Sequence, residues 1–309
     1  MFRFLLRRLL VALPTLFLVI TVAFFMMRAA PGNPFETTRK LPPEILKNVE
    51  AKFHMDEPLP QQYFDYLAGV AHGDFGPSLK YRDKTVLQLI AQNFPVSLAI
   101  GLSALVISSV VGIALGALAA LRQNKPADYL VMAIAVIGVC VPVIVTAPLL
   151  QLVFASTLEW FPTGGLAGGL TNVINLVLPV TMLSLPLIAV ISRLTRAGMI
   201  EVLSSNYVRT ARAKGLSEFE VVVRHALRPA LLPLVSFLGP ATAGLITGSV
   251  IAEQIFGLPG LGKFFVTSAL QRDYPMVMGV VIVYASLIIV LNLVSDVILA
   301  MLDPRVRLS

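Results

Sequence analysis

Uncharged and mostly apolar residues run unbroken from Leu9 to Met27, Pro95 to Leu121, Tyr129 to Leu158, Val173 to Ile191, Pro229 to Ala252 and Tyr274 to Ser295. Each run is at least about 18 residues long, the length that crosses a bilayer as a helix. The pattern therefore predicts an all-α integral membrane protein with six transmembrane helices, and an even number of crossings returns both termini to one side. The first run follows Arg3, Arg7 and Arg8, as a secretory signal would. Its 19 residues exceed the usual core of about 7 to 15, and Arg28-Ala29-Ala30 is not an A-x-A cleavage site, so it is expected to be a retained span.

Two segments between the runs carry patterns of their own. On one side, Arg28 to Phe94 opens with the turn sequence Pro31-Gly32-Asn33-Pro34. Ile45, Leu46, Val49 and Phe53 then share one helical face, and Tyr63, Tyr66, Leu67 and Val70 repeat the spacing after Pro58 and Pro60. Two short amphipathic helices are expected there, lying on the membrane or packed as a cap. On the other side, a helix from Ile200 carries Arg209, Arg212 and Lys214 in its last turns, where cations suit the helix dipole. Gly215 follows at the C′ position, which calls for positive φ. Ser217 and Glu220 form an S-x-x-E capping box that starts a second helix with Phe219, Val222, Val223 and Ala226 at i, i+3, i+4 and i+7. Such an apolar face calls for a partner, or for lipid headgroups, on which basic amphipathic helices also lie.

Composition agrees with the runs: 57% of the 309 residues are hydrophobic and 13% charged, with a mean hydropathy of +0.83. The net charge of +7 would suggest nucleic acid in a soluble protein, but its distribution argues otherwise. The N-terminus, 122–128, 192–228 and the C-terminus together hold 14 Lys+Arg and 6 Asp+Glu; 28–94, 159–172 and 253–273 hold 10 and 11. The positive-inside rule puts the first group, and with it both termini, in the cytoplasm of a cell inner (plasma) membrane protein. No nucleic-acid partner is expected. The single cysteine, Cys140, lies within the third run and has no intrachain partner.

A search for chemistry in the chain excludes more than it finds. Gly257-Leu-Pro-Gly-Leu-Gly262-Lys263 satisfies G-x-x-x-x-G-K, but Phe264 stands where a phosphate loop needs Ser or Thr for Mg²⁺, and the segment follows a span instead of a buried strand. His54, His72 and His225 all lie outside the runs, with no H-E-x-x-H and no G-x-S-x-G. No metal site and no cofactor on this chain are expected. The runs contain no ionisable residue of the kind that ion-coupled transporters place in the bilayer. They hold Gly112-x-x-x-Gly116 and Gly244-x-x-x-Gly248 for close helix packing, scattered polar residues such as Gln151, Asn175 and Thr242, and prolines at 142, 148, 179, 186, 233 and 240 that bend helices. Such a chain supplies a path without an energy source.

Several of these residues carry a resemblance to the permease subunits of ATP-binding-cassette importers, specifically the B-type permeases of oligopeptide and dipeptide systems. Arg209-Thr210-Ala211-x-x-x-Gly215 resembles the family's E-A-A-x-x-x-G loop, with Arg209 and Thr210 in place of Glu and Ala, and Ser217 to Arg228 is similar in position to its coupling helix, with Pro229 one residue later than usual. Arg7-Arg8, Pro31-Gly32-Asn33-Pro34, Gly73-Asp74-Phe75-Gly76-Pro77-Ser78, Glu253 and Phe256-Gly257-Leu258-Pro259-Gly260-Leu261-Gly262 extend the likeness nearly end to end.

The resemblance implies a type I ABC importer permease fold. Residues 1–93 would form the first span and an extracytoplasmic cap region, and 94–309 the permease domain with a cytoplasmic coupling loop at about 200–228. It also implies a transport subunit that catalyses nothing itself. Arg209, Thr210, Ala211, Lys214, Gly215, Leu216, Ser217, Phe219, Glu220 and Val222 would engage an ATPase; Glu253, Phe256, Gly257, Pro259, Gly260 and Gly262 would form an outer gate loop, with Gly260 expected at positive φ. The implied partners are a homologous second permease, two cytoplasmic ATPase subunits carrying ATP and Mg, and an extracytoplasmic peptide-binding protein. Nickel, glutathione or oligosaccharide are alternative cargoes of the same branch; a secondary transporter or channel, and a purely structural membrane subunit, are alternatives outside it.

Overall fold

The computed structural model describes residues 2–29, 56–81 and 83–302. The chain runs through α1 (Phe2–Ala29), α2 (Leu59–Ala71), α3 (Val86–Leu121), α4 (Pro126–Cys140), α5 (Val143–Leu150, continued as a π-helical turn over Gln151–Thr157) and α6 (Ile174–Leu203). It continues through α7 (Asn206–Ala213), α8 (Glu218–Ala230), α9 (Leu232–Ile255), α10 (Leu261–Gln271) and α11 (Tyr274–Leu302). No strand occurs among the described residues. Four helices, α1, α3, α6 and α11, are long and apolar enough to cross a bilayer alone; the bent pairs α4–α5 and α8–α9 raise the number to six.

The third apolar run is therefore not a straight span. Its helix breaks at Val141-Pro142, and α4 and α5 meet at 103°. Pro142 has no N–H to continue the ladder and pushes Val141 into an extended conformation (φ −82°, ψ 118°), so the chain turns there. Pro233 stands at the second bend, 50° between α8 and α9, whereas Pro148, Pro179, Pro186 and Pro240 remain inside helices.

The bundle is organised around α3 and α6. A Cβ at Gly112 would stand 2.7 Å from Ile191 Cγ2, and one at Gly116 2.5 Å from the carbonyl oxygen of Ser192, so the two glycines let the backbones touch. Ile100 and Ala104 of α3, Met182 and Ile191 of α6, and Leu234 of α9 are buried in the same core cluster, which reaches Phe256 and Leu258 beyond α9. Gly244, the first glycine of the second G-x-x-x-G, has nothing within 4 Å of its would-be Cβ among the described residues. The scattered polar residues mostly brace nearby backbone: Gln151 Nε2 donates to Thr163 O (2.6 Å), and Asn175 Nδ2 to Ala167 O (2.7 Å). Outward faces are apolar, as on Leu10 and Leu13 of α1 and Leu130 and Ile137 of α4, which suits hydrocarbon surroundings.

The loops sort into two ends as the charges do. At one end Arg8 pairs with Asp296 (3.0 Å) and Arg196 with Asp128 (2.6 Å). At the other, Ser78 Oγ donates to Asp273, and Gly165 N–H to Phe256 O (2.8 Å). The second amphipathic stretch forms α2, whose Tyr63 and Tyr66 pack on Phe24 of α1, with a hydrogen bond between Tyr63 OH and Thr21 Oγ1 (2.8 Å). The first amphipathic stretch and the Pro31-Gly32-Asn33-Pro34 turn lie outside the described residues.

Candidate coupling and gate sites

At the end carrying the excess of basic residues, α6 gives way to α7, a two-turn helix whose inner face, Val208 and Ala211, packs on Val221 of α8. Lys214 caps α7, and Gly215 turns the chain with φ 79°, in the left-handed conformation its position calls for. Gly215 N–H donates to Arg212 O (3.0 Å). Ser217 then accepts the N–H of Glu220 (3.3 Å), while the Glu220 carboxylate accepts both the Ser217 N–H (3.2 Å) and its hydroxyl (2.9 Å), closing the capping box. These bonds hold the Glu220 carboxyl below its usual pKa range, with Arg224 and His225 adding a smaller push in the same direction. Arg212 and Glu218 pair across the turn at 2.8 Å.

The α8 helix presents a different face from the one its periodicity predicts. Residues Val221–Leu227 form a π-helical turn. Its i→i+5 spacing puts Val221 and Ala226 on the buried side, with Val222 packed against the cluster of Ala120, Met199 and Ala230. Phe219, 75% exposed, and Val223 point outward, and Tyr207 of α7 is exposed as well. Among the expected coupling residues, Ala211 is buried and Leu216 packs against the α7–α8 cluster. Arg209, Thr210, Lys214, Gly215, Ser217 and Phe219 are exposed. The result is a rigid elbow, braced from inside, that projects a bare aromatic ring.

At the opposite end, Glu253 is not in a loop. It occupies the last turn of α9 and is 0% exposed. Its carboxylate accepts Ser97 Oγ of α3 (2.6 Å) and the N–H of Lys263 (3.0 Å), and Ser97 Oγ in turn accepts the N–H of Leu261 (2.8 Å). Glu253 thus ties α3 to the first turn of α10, where N–H groups lack helical partners. The glycine-rich segment wraps around it: a Cβ at Gly260 would lie within 2.5 Å of Glu253 Oε1, and one at Gly262 2.5 Å from Val250 Cα. Gly260 is glycine for this close approach and not for its conformation, since its φ is −104°; the positive φ of the loop falls at Gly257, 64°. Phe256 is buried and its carbonyl receives Gly165, while Gly257 and Pro259 are exposed.

The apolar runs themselves hold no ionisable residue, but the helices extend past them and take in ionisable residues at their margins. Besides Glu253, Asp128 in the first turn of α4 is 1% exposed and takes a two-bond clasp from Arg196 of α6. Sequence reasoning missed this pair because each member borders an apolar run and was counted as loop charge. The available signal was an acidic residue just inside a Pro126 helix start. Among the described residues no group of three or more His, Cys, Asp or Glu could hold a metal ion.

Among the described residues, an all-helical bundle with two bent apolar pairs, a projecting basic elbow and a glycine-wrapped carboxylate defines a multi-pass membrane protein. Residues 112–308 match the model of the binding-protein-dependent transport system inner membrane component family, and residues 1–101 match the N-terminal model of such membrane components, so the chain belongs to that family. It is 52% identical over 307 residues to the oligopeptide transport system permease protein OppB of Salmonella typhimurium strain LT2, covering 99% of this chain and 100% of the relative. It is 42% identical over 308 residues to the dipeptide transport system permease protein DppB of Bacillus subtilis strain 168, covering 100% of this chain and 99% of the relative. Among solved structures, an inward-facing MetNI methionine ABC transporter chain superposes with a TM-score of 0.57 at 16% identity, over 70% of this chain and 97% of that one, a likeness of fold. An amino acid ABC transporter chain superposes with a TM-score of 0.51 at 17% identity, over 71% and 94%. The type I importer permease fold and a multi-pass membrane location expected from the sequence therefore hold.

Proposed function

We propose that this chain is a membrane permease subunit of an ATP-driven importer of oligopeptides or dipeptides. Near end-to-end similarity to permeases named for those cargoes is the observation that carries the reading. The chain lines half of a pathway with a homologous second permease. ATP and Mg belong to two cytoplasmic ATPase subunits, an extracytoplasmic peptide-binding protein delivers cargo, and this chain holds no cofactor. Both termini lie in the cytoplasm of the inner (plasma) membrane, consistent with the excess of basic residues on that side.

The chain's own residues supply the coupling. Gly215 and the Ser217–Glu220 box fix the angle of α8, and the exposed Phe219 fits an apolar cleft of the ATPase. Closure of the ATPase pair pushes α8, and the permeases rock as rigid bodies to switch access. The Glu253 clasp on Ser97 and α10 closes the outer end and releases when access switches. Affinity capture of the tagged chain from detergent-solubilised membranes tests the assignment. It should bring down ATPase subunits whose hydrolysis rises with peptide-loaded binding protein. Peptide uptake by the chain alone in ATP-free proteoliposomes would contradict it.

A further inference from the structure

Two turns of α6, Ser192 to Gly198, bear three other elements at once. Ser192 and Thr195 meet Gly116 of α3, where a Cβ would stand 2.5 Å from Ser192 O. Gly198 meets the end of α8, where a Cβ would stand 2.5 Å from Ala230 O. Between them, Arg196 reaches α4: Nε donates to Asp128 Oδ1 at 2.6 Å and Nη2 to Oδ2 at 2.7 Å. Oδ2 also accepts the N–H of Asn124 at 2.9 Å, which fastens the turn between α3 and α4 to the same carboxylate. The Asp128 side chain is 2% exposed and the Arg196 side chain 26%.

We propose that the Asp128–Arg196 pair is the positioning joint that carries the stroke of α8 into α4, and through the bend at Val141-Pro142 into α5. The inference rests on the coupling reading of α8 given above. Otherwise α4 meets the bundle through apolar contacts: Val131 and Ala135 are buried, and Gly138 lies against α6, where a Cβ would stand 3.3 Å from Leu185 O, while most of its other apolar side chains face outward. Apolar contacts slide, whereas a two-bond guanidinium–carboxylate clasp fixes both distance and orientation. Stability alone is a weak reason for the pair, since well-packed apolar residues of similar volume serve a buried site as well or better. A push on Ala230 arrives at Gly198, two residues from Arg196, on a helix already locked to α3; the clasp adds α4 to that moving block.

The test uses the assembled complex with both permeases, the ATPases and the binding protein, and reads the ratio of ATP hydrolysis with and without peptide-loaded binding protein. Asp128→Asn keeps the shape and loses the charge; Arg196→Lys keeps the charge and loses the two-bond geometry. Each should lower the ratio on the order of tenfold, within the usual span of coupling between sites, and the double variant should be no worse than either single one. Arg196→Lys carries the test if Asp128→Asn fails to assemble. A wild-type ratio in either assembled variant, even with a lowered melting temperature, would mark the pair as a mere brace and overturn the proposal, as would losses that multiply in the double variant. Gly215→Val is the control. If it uncouples while the 128 and 196 variants do not, only the joint is wrong; if it leaves the ratio intact, the coupling reading of α8 fails and the joint with it.

Discussion

Replacing Gly215 with Val isolates the geometry of the elbow from its contacts. Nothing lies within 4 Å of a Cβ at this position, so the new side chain meets no neighbour and the whole effect comes from the backbone. At φ 79° a residue with a Cβ costs about 1–2 kcal/mol relative to its preferred conformations, and a β-branched one lies at the upper end. At about 1.4 kcal/mol per factor of ten, the native turn becomes roughly five- to thirtyfold less favoured against conformations that swing α8 away. The buried contacts of Val208 and Ala211 with Val221 span the turn and resist that swing, so this factor is the upper end of the expected effect. The variant should insert at wild-type levels, because no apolar run is altered. Peptide uptake should fall by up to that factor in proteoliposomes, and hydrolysis should stop responding to loaded binding protein. Gly215→Asn, which tolerates the left-handed region, should lie between the two. Wild-type uptake by Gly215→Val would refute the claim that the turn sets the coupling angle, and so would equal loss in Asn and Val.

Gly260→Val should abolish transport, because its Cβ would enter the Glu253 carboxylate, whereas Lys263→Ala should leave ATP hydrolysis by the complex nearly unchanged; lost nucleotide binding on changing Lys263 would revive a phosphate loop. Gly116→Leu should prevent accumulation of the protein in membranes, since overpacking at a backbone contact costs at least about 1–3 kcal/mol, while Gly244→Ala should accumulate normally; immunoblots of membrane fractions decide. In a Cys140→Ser background, cysteine at Lys80 should react with impermeant maleimide in intact spheroplasts and cysteine at Lys214 only after lysis; labelling at 214 without lysis would invert the topology.

The readable features of this chain are those written in short stretches. Gly215 at positive φ and the Ser217–Glu220 box came from adjacent residues whose side-chain chemistry leaves one local solution. The apolar runs located the spans because hydropathy over about 18 residues responds to burial in lipid. The same averaging is blind to direction: Pro142 marks a place where Tyr129 to Leu158 can bend, but nothing in the run gives the 103° angle of that bend. A 3.6-residue period likewise mispaired Phe219 with Ala226, since the π-helical turn between them was invisible to a fixed spacing. Asp128 and Arg196 lie 68 positions apart, and Ser97 and Glu253 156 apart, so only the folded bundle brings them together. Gly260 was recognised as constrained for the wrong reason: a glycine in a turn suggests positive φ, and close approach of a distant carboxylate leaves the same mark.

The central claim is that the face of α8 bearing Phe219 engages an ATPase. Phe219→Asp tests it most directly, because the side chain is 75% exposed and its change leaves the buried Val221 and Ala226 untouched. The measurement is the stoichiometry of ATPase subunits co-purified with the tagged permease in detergent. The account predicts that Phe219→Asp protein reaches the membrane at wild-type levels, retains the second permease and loses most of the ATPase, as a charge placed in an apolar cleft requires. Full retention of the ATPase, together with wild-type peptide import, would contradict it and leave α8 lying on lipid headgroups.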